Sequence, residues 1–229
     1  MASLTWLGHA SFRLDTDEGK RIYVDPFLQD NPTTPESEKE PERVDVIALT
    51  HGHGDHAADV VRLSQAFPDA EIVAIIELKS WLGKQGANTG SLPGINKGGT
   101  VETAGVRFTL TDARHSNGSD AGEYLGDAAG LVVRLKDGTS IYFAGDTCVF
   151  GDMQLIGRLY QPNVAVLPIG DWFTMGPEEA AVALELLGNP RCVPCHYGTF
   201  PILTGTPEEL GKLTEAPLEV LRPGDTLEL

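Results

Sequence analysis

Positive charge is what this sequence has least of. Lysine and arginine total 17 against 33 aspartates and glutamates, a formal net charge of −16 at pH 7. Nucleic-acid backbones are held by clustered Lys and Arg, so a chain this acidic is not built to bind them. Anionic membrane surfaces are disfavoured on the same ground. The deficit leaves an anionic substrate possible, because a bound cation makes one cleft locally positive within an acidic surface. Cysteine is scarce too. Cys148, Cys192 and Cys195 are too few and too unevenly spaced for a disulfide framework, which points to a reducing cytoplasm. No window holds the roughly 18 uninterrupted apolar residues of a membrane span. The opening "MASLTWLGHASF" has neither the charged n-region nor the apolar h-region of a secretory signal. No internal repeat is visible, and no break in composition marks a second domain.

What is present suits a globular fold. Hydrophobic residues make up 41% of 229 positions, enough for a substantial core, and one α/β domain over residues 1–229 is the simplest expectation. "SLTWL", "ASFRLDT" and "KRIYVD" read as a β-meander. "PFLQDNPTTPESEKEPER", with its prolines and charges, reads as a long surface loop. "RVDVIALT" and "EIVAII" are buried-strand patterns, "HAADVVRLSQAF" has helical spacing, and a short helix is expected near "ELKSWLGKQ". Two hairpins follow, "GTVETAGVRFTLTDA" turning at Ala104-Gly105 and "AGLVVRLKDGTSIYFAGD" turning tightly at Asp137-Gly138. Helix and strand then alternate: "MQLIGRLYQ", "NVAVLPIG", "PEEAAVALELLG", "RCVPCH", "TPEELGKLTEA" and a last strand "LEVLRP". The first half thus looks mainly antiparallel and the second alternates. An αββα sandwich accommodates both, though the pattern alone does not select it.

The chemistry concentrates in "LTHGHGDH", Leu49 to His56, which holds three of the six histidines. Gly52 and Gly54 allow backbone angles that turn His51 and His53 to a common side. Asp55 and His56 then enter from the first turn of a helix. Imidazole and carboxylate are ligand types for Zn²⁺ and similar divalent ions. His115 in "TDARHSNG", Asp146 in "IYFAGDT" and His196 in "CVPCHYGTF" each follow another expected strand. Singly, each of these would more often be structural. Together they place Asp and His at the ends of four strands, as a metal site at a sheet edge requires.

His51-x-His53-x-Asp55-His56, with His115, Asp146 and His196 downstream in that order, resembles the metallo-β-lactamase fold superfamily. "TWLGHASF", "VDPFL", "IGDWFTMGP" and "CHYGTFP" resemble more closely a branch of largely uncharacterised metal-dependent hydrolases. That branch is similar to ascorbate-6-phosphate lactonases and, more distantly, to N-acyl-phosphatidylethanolamine phospholipase D. The resemblance spans essentially the whole chain and implies a four-layer αββα sandwich. It implies two divalent ions, Zn²⁺ first with Mn²⁺ or Fe²⁺ as alternatives. His51, His53 and His115 would hold one, Asp55, His56 and His196 the other, with Asp146 bridging. A water between such ions becomes a hydroxide near neutral pH and attacks a carbonyl or phosphorus centre. Asp55, His56 and Asp146 thus carry catalysis. His9 joins them by orienting substrate or shuttling a proton, or else is a histidine hydrogen-bonded within a tight turn. Asp25 either fixes a ligand's tautomer or is a turn aspartate before proline. Asp171, Trp172, Phe173, Thr174 and Met175 line a substrate pocket or pack as core under a loop, and Tyr197 and Thr199 reach the same pocket. Asn is common in the branch where this chain has Trp172 and Gly198, which detaches its substrate from any borrowed assignment.

Cys192-Val-Pro-Cys195-His196 also matches covalent haem attachment. That chemistry normally needs export, and no second cysteine pair exists for a zinc knuckle. The leading function is a dinuclear hydrolase acting on a small-molecule ester, lactone, amide or phosphodiester. Nuclease or RNA-processing activity, redox chemistry and non-catalytic binding are the alternatives. The acidic balance and missing extra domains oppose the first two, and the intact set of seven ligands opposes the third. Neither nucleic acid nor membrane is an expected partner, and a homo-oligomer is an open expectation.

Overall fold

The computed structural model describes residues 1–229. Three strands, β1 (Ser3–Gly8), β2 (Ser11–Asp15) and β3 (Arg21–Val24), form the antiparallel meander. β4 (Val46–Ala48) and β5 (Glu71–Val73) then add in parallel to β3. The second sheet follows the same plan. β6 (Thr100–Thr103), β7 (Val106–Asp112), β8 (Ala129–Arg134) and β9 (Ser140–Phe143) are antiparallel, and β10 (Val164–Pro168) and β11 (Arg191–Cys195) continue in parallel. The expected contrast between an antiparallel half and an alternating half is therefore corrected. Each sheet contains both, because each meander is followed by parallel crossovers. The six helices are α1 (Gly54–Ala57), α2 (Val60–Ala66), α3 (Ile76–Lys84), α4 (Met153–Tyr160), α5 (Pro177–Leu187) and α6 (Pro207–Leu210). None is long and apolar enough to cross a membrane.

The two six-stranded sheets face each other with helices outside, an αββα sandwich. Period-two alternation builds its layers. Along β10, Val164 and Val166 enter the core between the sheets, whereas Ala165 and Leu167 join Met153 and Ile156 of α4 and Ala180, Leu184 and Leu187 of α5. Both faces are buried, which is why "NVAVLPIG" reads as a continuous apolar run. Phe12 and Phe143 meet edge to face across the sandwich, ring centroids 5.7 Å apart. Leu63 of α2 and Leu78 and Leu82 of α3 belong to the same core as the first sheet. α5 is built as its sequence asks: Pro177 opens it, Glu178 and Glu179 occupy the first turn, and Gly188 closes it at φ 87°.

Local differences have local causes. The helix expected over "HAADVVRLSQAF" is two pieces, because Asp59 turns back to the preceding loop. "EIVAII" is strand only to Val73, since α3 begins at Ile76. The Asp137-Gly138 hairpin has a three-residue loop, with Leu135 N donating to Thr139 O and Gly138 at φ 99°. The helix in "TPEELGKLTEA" ends at Leu210. "LEVLRP" is not a strand. Only Leu218 bridges to Cys192, while the last strand, β12 (Thr226–Glu228), pairs with β1 in the other sheet.

The loop from Pro26 to Arg43 contains a 3-10 turn, Glu36–Glu38, and is pinned rather than loose. Thr34 Oγ1 donates to Leu7 O at 2.6 Å. The buried Asp59 carboxylate accepts from Leu28 N at 2.6 Å and Gln29 N at 3.1 Å, and also takes Arg62 Nε at 2.9 Å. Asp59→Ala would leave two loop amides without their acceptor at a cost of about 2 kcal/mol. Thermal unfolding should show the midpoint lowered by roughly 4–8 °C; an unchanged midpoint would show that water replaces the carboxylate.

Candidate metal centre

Every chemistry-bearing residue leaves the C-terminal end of a strand running in one shared direction. In the first sheet, His9 follows β1, Asp25 follows β3, and His51 lies three residues beyond β4. In the second, His115 lies three residues beyond β7, Asp146 three beyond β9, and His196 follows β11. Strand direction thus delivers all of them to one edge of the sandwich. The backbone there is strained. Of eight non-glycine residues at positive φ, five belong to this edge: His9 (55°), Asp25 (47°), Asp171 (63°), Trp172 (59°) and His196 (56°). Such angles cost roughly 1–3 kcal/mol each and persist only where the surroundings enforce them. Gly145 is required for a different reason, close approach. At φ 62°, any Cβ there would lie 2.7 Å from Thr50 Cβ.

The donors form two groups that meet at Asp146. His51, His53 and His115 offer ring nitrogens within 4.8 Å of one another, and so do the atoms of His9, Asp55, His56 and His196. Asp146 Oδ2 is 3.2 Å from His196 Nε2, 3.6 Å from His115 Nε2 and 3.9 Å from His51 Nε2. Its Oδ1 is 3.2 Å from His56 Nε2. His196 Nε2 is also 3.8 Å from Asp55 Oδ2.

The hydrogen bonds behind these atoms fix their tautomers. Buried Asp25 accepts from Thr50 N at 2.8 Å and Thr50 Oγ1 at 2.6 Å, and from His56 Nδ1 at 2.9 Å. With its proton given to Asp25, the Thr50 hydroxyl accepts from His51 Nδ1 at 3.1 Å. In their neutral forms His51 and His56 therefore both present a lone pair at Nε2. Asp25 is thus more than a turn aspartate before proline: its carboxylate orients the His56 ring.

This donor set fits a divalent cation. His56 Nε2, His196 Nε2 and Asp146 Oδ1 are buried with no aligned hydrogen-bond partner, their nearest polar neighbours being one another and Asp146 Oδ2 at 3.2 Å. His51 Nε2 faces His53 Nδ1 at 3.1 Å, and Ser116 Oγ lies 3.5 Å from the outer nitrogen of His53. That separation suits a hydrogen bond when His53 carries its proton on Nδ1, and two nitrogens of one cation's ligand set when it does not.

Electrostatics follow the same division. Burial, reinforced by the charge of His56, holds the His51 imidazole well below its usual range, and burial also lowers His115. Burial brings His9 down to about 4. Burial works against charge on Asp146 too, but His196 and His56 outweigh it and hold the carboxyl well below the usual carboxylate range. Asp146 in turn overcomes burial to raise His196 to about 9 and His56 well above its ordinary value.

The remaining expected site residues are dispersed. His9 lies at the centre, wholly buried, with Nε2 3.0 Å from Asp55 Oδ2 and Nδ1 3.1 Å from Thr199 Oγ1. Tyr197 stacks on Trp6, centroids 5.3 Å apart. Asp171 and Thr174 line a separate cavity of about 790 Å³ beside the start of α5 and α6. Trp172 and Phe173 are 69% and 54% exposed. Met175 does not line a pocket: it is fully buried among α4, α5 and the outer face of the second sheet. The reason is its amide, which donates to Thr147 O and turns the side chain inward. Cys192 and Cys195 face opposite layers of β11, Cys192 towards the helices and Cys195 between the sheets. On a strand, i and i+3 cannot converge on one group. Burial pushes both thiols well above the ordinary thiol range, so neither is poised to act as a thiolate at neutral pH.

Two contributors were not singled out from the sequence. Thr50 joins Asp25 to His51, and Asn117 Oδ1 accepts from Gly52 N at 2.8 Å, holding the histidine loop. Thr50 directly precedes the motif and Asn117 follows His115 by two residues. Their proximity was the one available signal.

Residues 20–197 match the Beta-lactamase superfamily domain family. A "UPF0173 metal-dependent hydrolase" of Herpetosiphon aurantiacus is 49% identical over 232 residues, covering 97% of this chain and 96% of the relative. Another, from Methanosarcina mazei, is 42% identical over 233 residues, covering 99% and 98%. Among solved structures, Igni18, a metallo hydrolase from the archaeon Ignicoccus hospitalis, superposes with a TM-score of 0.87 at 34% identity, covering 100% of this chain and 99% of its own. With the donor geometry, these likenesses mean that the chain belongs to the β-lactamase superfamily domain family, as one of its metal-dependent hydrolases.

Proposed function

We propose that the protein hydrolyses a small-molecule ester, lactone, amide or phosphodiester with two divalent cations held on either side of Asp146. The observation that carries this reading is the pair of donor groups approaching that one buried carboxylate from both sides, His51 and His115 from one and His56 and His196 from the other. His51, His53 and His115 would hold one ion, and Asp55, His56 and His196 the other. Donors of nitrogen and oxygen without thiolate suit Zn²⁺, Mn²⁺ or Fe²⁺. Two such ions supply Lewis acidity at the scissile group and lower the pKa of water towards neutrality.

The chain's own residues do the rest. Asp25 and Thr50 keep protons on the outer nitrogens of His56 and His51, so the inner lone pairs stay available. Asp146 offsets positive charge from both sides. Asp55, 32% exposed at its side chain, is the most open carboxylate of the set and faces the side from which substrate would arrive. The net charge of −16 supports a small molecule over a nucleic acid.

Metal analysis of the purified protein is expected to find close to two divalent ions per chain, and full turnover by a metal-free preparation would reject the mechanism. Asp146→Asn should retain native circular dichroism yet lose at least one ion. Its turnover on a panel of lactones, phosphodiesters, thioesters and amides should fall by more than the roughly 100-fold typical of an outer partner. Asp25→Asn tests that outer role, with an expected loss of roughly 10–100-fold in metal affinity or activity. Wild-type affinity in that variant would mean His56 needs no orienting partner.

A further inference from the structure

His9 has more contacts with the site than its place in the fold requires. It sits at φ 55° directly after Gly8 at φ 98°, in the tight connection from β1 to β2. Its carbonyl accepts from Trp6 Nε1 at 2.9 Å and from His196 N at 2.9 Å, so its backbone ties the two sheets together beside a donor residue. Glycine or asparagine would serve that backbone task at a left-handed angle. The imidazole adds two further interactions, and both go to the site. Nε2 lies 3.0 Å from Asp55 Oδ2, and Nδ1 lies 3.1 Å from the buried Thr199 hydroxyl. The ring is enclosed by His196 at 3.9 Å between centroids and by Phe200 at 5.4 Å.

The chemistry of the partners orders the protons. An ionised carboxylate only accepts, so the proton between His9 and Asp55 belongs to Nε2. Nδ1 is then an acceptor, and the Thr199 hydroxyl donates to it. A protonated nitrogen has no lone pair for a cation, although Nε2 stands among the donors of the second group. The ring is 0% exposed, so it meets solvent only through Asp55, which is 32% exposed.

We propose that Thr199, His9 and Asp55 form a hydrogen-bonded relay that holds the Asp55 carboxylate in place as a donor for the second cation. His9 and Thr199 are positioning residues in this relay and not ligands. The proposal rests on the two-cation reading above. It assigns the relay to the ion held by Asp55, His56 and His196 and not to the ion held by His51, His53 and His115.

The test is competition for Zn²⁺ against a chromophoric chelator, with Co²⁺ absorption as a fingerprint of the ligand set. It compares the wild type with His9→Phe, His9→Gln, Thr199→Val and Thr199→Ser. His9→Phe should weaken one of the two ions by roughly 10–100-fold and leave the other unchanged. Thr199→Val should weaken the same ion by a smaller factor. His9→Gln, which retains an N–H near Nε2, and Thr199→Ser, which retains the hydroxyl, should recover most of the loss and give the wild-type Co²⁺ spectrum at saturation. If His9 is itself a ligand, His9→Gln and His9→Phe lose the ion alike and the spectrum changes, which overturns the relay. Wild-type affinities in His9→Phe and Thr199→Val overturn it as well, leaving the ring a packing element. If His9→Phe does not fold, the Thr199→Val and Thr199→Ser pair decides alone. A wild-type protein that binds fewer than two ions instead overturns the two-cation reading, and the relay with it.

Discussion

A buried carboxylate encircled by imidazoles is the interaction on which this structure depends. Asp146 is 4% exposed, and four ring nitrogens lie between 3.2 and 3.9 Å from its oxygens. Such a cluster is costly in a low-dielectric interior unless positive charge compensates it. Within the chain, that charge comes from raising the proton affinity of His56 and His196. A divalent ion would supply it more effectively, because it satisfies several lone pairs at once. The unpartnered atoms of His56, His196 and Asp146 belong to this same balance.

The rest of the fold makes the cluster tolerable. Two sheets of the same plan place strands of one direction side by side, so their C-terminal ends assemble donors from both layers at one edge. The core between the sheets, with Phe12 against Phe143, fixes the distance across which His196 and His51 must share Asp146. Left-handed angles at His9, Asp25 and His196 then aim side chains that extended backbone would send elsewhere. A packed scaffold can impose such angles where a free loop could not. The fit is tight enough that Gly145 must lack a side chain for Thr50 to pass and reach both Asp25 and His51.

Much of this could be read from the sequence, and the failures share a cause. Buried strands such as Val164–Pro168 and the helix Pro177–Leu187 were legible because burial on both faces and terminal capping are local signals. The convergence of His51 and His53 was legible because three histidines and an aspartate crowd into six residues. The strand assigned to "LEVLRP" failed, since nothing local distinguishes a segment that makes one bridge to Cys192 from one that joins a sheet. Which of its two readings held for Met175 was undecidable for the same reason: its orientation depends on Thr147, far away in the chain. The shared plan of the two sheets was invisible as a repeat, because connectivity is conserved there without residue identity.

What the sequence by itself determined was the chemistry: which side chains can donate to a cation, and which segments bury both faces. What only the tertiary structure decided was which of those side chains meet. His9 and Thr199 are 190 positions apart, and Asp25 and His56 are 31 apart. Contacts at such separations are set by strand order, register and the packing of one sheet on the other, and these are properties of the whole chain that no local run of residues encodes.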